Sequence, residues 1–280
     1  FCRSESLSED GLREIIERNK NDRSSNNDYA FFHEACDNER VTEGIIRCLL
    51  EYFPNATVRV TDVVGHLPLH YICFNKNVTL KMVHLLIDAY PDSLRHESIN
   101  GSMPLHRLCN NKNLNEEVGF ETLKLLLERF PESVTRASRY GMLPLHFAAA
   151  WQSPEFCRIL IEAYPGSECM TSNTGTLPFH YACTHNTVAT VEYLHQLYSE
   201  SINVANNDGR YPIHYAIQGV ELRDFSPESA VEMVKFLLGC DPDVVLQKIV
   251  NKVLLYWVCY YISNDDNTPR INANRARLNV

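Results

Sequence analysis

A chain of 280 residues with 45% hydrophobic and 22% charged residues has the balance of a soluble folded protein and enough apolar mass for a sizeable core. Its 26 lysines and arginines against 35 aspartates and glutamates give a formal charge of −9, which argues against a protein that lives by neutralising phosphates, so nucleic acid is not an expected partner. No apolar run reaches the ~18 residues a membrane span needs, and the greasiest stretch, Val253 to Ile262, has ten and reads as a buried or capping helix, so no membrane insertion is expected.

The chain opens on Phe1 and not on methionine, which leaves open a longer natural chain carrying any targeting signal. Residues 1–28 hold one candidate helix, Leu7 to Arg18, followed by the polar loop-like stretch NKNDRSSNND. FFHEAC at Phe31 to Cys36 and IIRCLLEYFP at Ile45 to Pro54 come next. A short phrase then recurs five times: GHLPLHYIC at Gly65, GSMPLHRLC at Gly101, GMLPLHFAA at Gly141, GTLPFHYAC at Gly175 and GRYPIHYAI at Gly209, at spacings of 36, 40, 34 and 34. After the first three copies comes an apolar-periodic stretch ending in an aromatic and a proline: MVHLLIDAYP to Pro91, TLKLLLERFP to Pro131 and CRILIEAYP to Pro165. KVLLYWVC at Lys252 to Cys259 is a degenerate copy with Tyr256 at the histidine position, and residues 263–280 form a polar tail.

The glycine permits a turn that other residues resist, and the proline suits the first turn of a helix. First helices are therefore predicted to start near Pro68, Pro104, Pro144, Pro178 and Pro212, each followed by a second, antiparallel helix that ends near the next proline. One pair cannot bury its apolar faces alone, so neighbours must stack. The prediction is an all-α helical-repeat solenoid of about seven helix-pair units, near residues 29–64, 65–100, 101–140, 141–174, 175–208, 209–250 and 251–262, with degenerate ends and flanks at 1–28 and 263–280.

Gly-x-x-Pro-Leu-His at a period near 33, over roughly residues 29–262, resembles the ankyrin repeat. The family's threonine before the proline is here Leu67, Met103, Leu143, Leu177 and Tyr211, and its glycine between the helices is absent. Loss of the hydroxyl cap, about 1 kcal/mol, is expected to be offset by apolar packing. Extra residues between the helices, and an insert from Gln218 to Ser229, lengthen the units. The resemblance implies that His33, His70, His106, His146, His180 and His214 are one structural position, bonding backbone groups and tying neighbouring units.

It also implies function: a non-catalytic protein–protein interaction module or scaffold that holds another protein on its concave face, monomeric, intracellular and cytoplasmic, with no cofactor or metal. The alternative is the recognition or regulatory segment of a larger enzyme, channel or ubiquitin-ligase adaptor. Carried onto this chain, the family's contact positions are the two residues before each glycine, the one after it, and the fourth and fifth after the histidine. They give His66, Phe74, Asn75, Asn110, Asn111, Arg139, Tyr140, Met142, Trp151, Asn173, His185, Asn207, Asp208 and Arg210 as partner-binding candidates, with Thr176, Thr184 and Gly219 at the same positions. Arg139, Tyr140 and Trp151 put three residue types enriched at binding hot spots into one unit.

Eleven histidines and ten cysteines invite a metal or thiol-enzyme reading, yet most fall in the repeat register. Cys36, Cys73, Cys109, Cys183 and Cys259 stand three residues after the motif histidine or its substitute, a place for a small buried group. Stacked helices lie about 8–10 Å apart, beyond disulfide reach, so all ten cysteines are expected free. Cys2, Cys48, Cys157, Cys169 and Cys240 lie outside that register; Cys169, in a predicted turn, is the best candidate for a reactive thiol among them, with an ordinary exposed cysteine the favoured reading. No GxSxG, Walker, HExxH, GxGxxG or CxxC motif occurs, so no catalytic residue is assigned.

Overall fold

The computed structural model describes residues 7–19, 30–53, 64–221 and 227–241, among which there are thirteen α-helices and no strand. The chain divides into two compact units, Phe1–Ser167 and Glu168–Val280. The first holds α1 (Glu9–Asn19), α2 (Ala30–Asp37), α3 (Glu43–Tyr52), α4 (Pro68–Phe74), α5 (Leu80–Ala89), α6 (Pro104–Cys109), α7 (Glu116–Arg129), α8 (Pro144–Trp151) and α9 (Pro154–Ala163). From α2 onward these form four pairs; α2, α4, α6 and α8 pack in succession as one row, α3, α5 and α7 as another, and α1 lies against α3. The second unit holds α10 (Pro178–His185), α11 (Val188–Leu197), α12 (Pro212–Glu221) and α13 (Pro227–Cys240), with α10 on α12 and α11 on α13.

Each first helix from α4 onward starts on the proline of the motif. The turn before it needs a left-handed glycine, and Gly101 shows why: its φ is +70°, and a Cβ there would stand 2.9 Å from the Arg139 nitrogen. The missing threonine cap is replaced differently from the expectation. Leu67, Met103, Leu143 and Leu177 are buried and have no side-chain acceptor, but the motif histidine reaches back, and its Nδ1 accepts the N–H of Leu67 (3.1 Å), Met103 (3.1 Å), Leu143 (3.0 Å), Leu177 (3.2 Å) and Tyr211 (2.9 Å). This is the returning half of a capping box, with imidazole in place of glutamate. Apolar packing is thus only part of the compensation.

Second helices in the first unit start on hydroxyl or amide caps: Thr42, Thr79, Asn115 and Ser153 accept the N–H of Ile45, Met82, Val118 and Phe156. They end at Tyr90, Phe130 and Tyr164. Pro91 and Pro131 do more than stop the helix, for each opens a one-turn 3-10 helix, Pro91–Arg95 and Pro131–Thr135, that buries Ser93 or Ser133. In the second unit Ser199–Asn203 repeats the device and buries Ser201.

The insert from Gln218 to Ser229 is helical at both of its ends, since α12 runs on to Glu221 and α13 begins at Pro227, with residues 222–226 outside the described residues. The N-terminal helix spans Glu9–Asn19. The copy at Lys252 to Cys259 with Tyr256, the tail 263–280, Cys2 and the loop after Asn19 lie outside the described residues.

Candidate protein-binding face

In the first unit the turns before α6 and α8 are built by a serine three residues ahead of the glycine. Ser98 Oγ accepts the Ser102 N–H, and Ser138 Oγ those of Tyr140 and Met142. Backbone bonds then join turn to turn, Ile99 N–H to Val64 O at 2.8 Å and Arg139 N–H to Asn100 O at 2.9 Å. The tips so aligned present Ile99, 49% exposed, and Tyr140, 60% exposed, beside the exposed Arg139.

Because the motif histidine accepts at Nδ1, its proton sits on Nε2, which donates to the following turn: His70 to Ser102 O (3.1 Å) and His106 to Met142 O (3.3 Å). In the second unit His180 donates to Val204 O (3.1 Å). Burial holds these rings neutral, lowering the pKa of His70 to about 3, with the charges of His66, His96 and Arg107 adding to the effect, and those of His106 and His180 to about 4.

Two of the contact candidates, Asn75 and Asn111, are placed inside the unit. Both are buried, and each uses one amide nitrogen to join neighbouring pairs: Asn75 Nδ2 donates to Cys36 O and Asn38 O (both 2.9 Å), Asn111 Nδ2 to Cys73 O (3.2 Å) and Asn75 O (3.0 Å). Gln152 continues the series, donating to Cys109 O (3.1 Å) and Asn111 O (2.9 Å). Cys36, Cys73 and Cys109 stand in the last turn of their helices, where carbonyls lack an intrahelical donor, and the carboxamide of the next pair supplies one; Asn38, Asn75 and Asn111, just past the helices, also accept the N–H of Val41, Val78 and Leu114. In the sequence the signal is the doubled Asn-Lys-Asn after two of the phrases.

The profile of the ankyrin-repeat family, three copies, matches residues 77–173 and 165–248. The chain belongs to the ankyrin-repeat family. No curated protein matches it significantly.

Of the ankyrin contact positions in the first unit, His66 is half-buried and stacks on His70, ring centroids 5.2 Å apart, with Tyr71 edge-on at 5.6 Å. Phe74 lies under the Arg107 guanidinium at 3.9 Å, and Lys112 Nζ stands 5.6 Å from the Trp151 ring. Phe74, Asn110, Met142 and Trp151 are all half-buried. The aromatic after the motif histidine packs on the histidine one pair earlier, as Phe147 does on His106 at 5.7 Å.

In the second unit Asn173, Asn207, Asp208 and Arg210 are exposed at turn tips and His185 is half-buried at the end of α10. Asn207 also binds its neighbour, with Nδ2 on Asn173 O and the backbone N–H on Thr174 O. Thr176, Thr184 and Gly219 are interior: Thr184 Oγ1 donates to His180 O, and a Cβ on Gly219 would meet Thr184 O at 2.4 Å. A hydroxyl and amide network, Ser172, Thr174, Thr176, Asn206 and Tyr215, fills the turn side of this unit.

Cys36, Cys73 and Cys109 share the buried first-helix position with Ala149, as Cys183 does in the second unit, and burial raises the Cys73 thiol to about 12. Cys36, Cys48, Cys73, Cys109, Cys157, Cys169, Cys183 and Cys240 are all free. Cys169 is exposed, and partial burial, then Glu168, raises its pKa, which disfavours the nucleophilic thiolate and suits the reading of an ordinary surface cysteine. Among the described residues no three His, Cys, Asp or Glu side chains gather as a metal site would require, and no helix is long and apolar enough to cross a membrane.

Proposed function

We propose that this ankyrin-repeat chain is a non-catalytic scaffold that holds another protein against its first helices and turn tips. The observation that carries the reading is the apolar and aromatic surface kept on that side of the first unit, where Tyr140 and Ile99 project at adjacent tips and Trp151 remains half-exposed at the end of α8. Large rigid aromatics beside arginine supply contact area at low entropic cost. The neutral His70 and His106, bonded at both ring nitrogens, and the carboxamides beneath hold that surface in fixed register.

A photo-crosslinking residue placed at Tyr140 is expected to capture a partner protein that the same residue at Lys124, on α7, does not. For that partner, Trp151→Ala weakens binding by about 2 kcal/mol, roughly thirtyfold, with little change in Tm. A strong fall in Tm with unchanged affinity assigns Trp151 to the core and overturns its role as an anchor; capture from Lys124 alone overturns the binding face.

A further inference from the structure

Charge in the first unit is sorted by side. The outer helices α5, α7 and α9 carry seven acidic residues against four basic ones, and all four bases are held in ion pairs, Lys81 to Glu43, Lys124 to Glu121, Arg129 to Asp88, and Arg158 to Glu155 and Glu162. The first helices and the segments that connect the pairs between Gly65 and Ser153 show the reverse balance, with Lys76, Arg95, Arg107, Lys112, Arg136 and Arg139 against Asp92, Glu97 and Glu132, Lys76 being paired with Glu39. A chain whose total charge is −9 thus concentrates cations on the side read above as its binding face. Two of them sit on aromatic rings, Arg107 on Phe74 and Lys112 by Trp151, and a third, Arg139, is next to the exposed Tyr140.

We infer that the partner segment held by α4, α6, α8 and their turns is an acidic peptide with apolar side chains interspersed among its carboxylates. This rests on the reading of that side as the protein-binding face. Each element of the surface has its complement in such a peptide: guanidinium and ammonium groups for carboxylates, and Phe74, Tyr140 and Trp151 for the apolar side chains between them. Three helices in a row at about 8–10 Å spacing span about 20 Å, which an extended segment of about six residues covers. A nucleic acid fits less well, since affinity there grows with the number of phosphates neutralised, whereas the basic groups here are few and the acidic outer helices repel a long polyanion.

The test uses the full chain and fluorescence anisotropy with a labelled peptide of about 12 residues alternating Glu or Asp with Leu or Phe. Comparison probes are its Gln/Asn counterpart and an oligothymidylate of equal length. The acidic peptide is expected to bind at least about tenfold tighter than the neutral one and to weaken as salt rises. Lys112→Glu with Arg139→Glu, both exposed sites, removes most of that difference without shifting Tm, while Lys124→Glu with Arg129→Glu leaves binding unchanged. Equal binding of acidic and neutral peptides, indifference to the Lys112 and Arg139 reversal, or tighter binding of the oligonucleotide overturns the inference. If acidic peptide fails while Tyr140 still crosslinks a protein, the charge class is wrong and the binding face stands; loss of the Tyr140 crosslink in favour of Lys124 removes the face itself.

Discussion

The two helices of each pair in the first unit both bury apolar side chains but differ in the polar groups they bury with them. α4, α6 and α8 are short, at seven, six and eight residues, and bury polar groups, including His70, His106, His146, Asn75 and Asn111, each directed at a backbone atom of its own or a neighbouring pair. α5, α7 and α9, at ten, fourteen and ten residues, bury Met, Val, Leu, Ile, Phe and Cys side chains with the single hydroxyl of Thr122, and place their basic groups in surface ion pairs. Directional bonds set register to within tenths of an ångström, whereas apolar area is indifferent to small shifts. The side whose geometry is fixed is also the side that presents Tyr140 and Trp151.

Acid breaks that difference most strongly. His70, His106 and His180 bind protons far less readily when folded than the unfolded value of about 6.5. Between the two values the unfolded chain holds more protons, so stability is complete above about pH 6.5 and falls as pH drops towards about 4. Each tenfold loss of proton affinity is worth about 1.4 kcal/mol, and together the rings withhold on the order of several kcal/mol. Denaturant midpoints at about pH 7.5, 6 and 5 should decline steeply. His106→Gln, which cannot titrate, lowers stability at neutral pH yet flattens that decline; an unchanged slope would remove His106 from the set.

Next in size is Asn111→Ala, expected to cost about 2–4 kcal/mol because the carbonyls of Cys73 and Asn75 lose a shared buried donor. Its neighbour Asn110, half-buried, changes to alanine for about 0.5 kcal/mol or less. Equal costs in chemical denaturation would return both to the surface.

That pair also marks what the sequence made legible. Glycine, proline and histidine recur at fixed spacing, and each acts through its own backbone or the next turn, so repetition exposed the turn at Gly101, the helix start at Pro104 and the structural role of His106. The carboxamides escaped notice because they sit five residues after the histidine at Asn75 and Asn111 but six at Gln152, and their acceptors lie 36 to 43 residues away. Side-chain identity at a family contact position does not say whether the chain turns that residue inward, which depends on where the first helix stops. The replacement of threonine by a returning histidine bond was hidden for a related reason, since a leucine cap names no partner.

The smallest effect belongs to the outer row. Arg129 closes α7 and pairs with Asp88 of α5 at 3.8 Å, the side chains 44% and 66% exposed. Water screens such a pair, and holding two long side chains in place offsets most of the attraction, so Arg129→Ala should cost about 0.5 kcal/mol or less at low salt, part of it from the lost cation at the helix C-terminus. The difference from wild type should shrink further when ionic strength is raised. Paired denaturation curves at low and high salt measure both. A loss above about 1.5 kcal/mol that salt does not reduce would mean that α5 and α7 also depend on directional bonds, and the division between the two rows would fail.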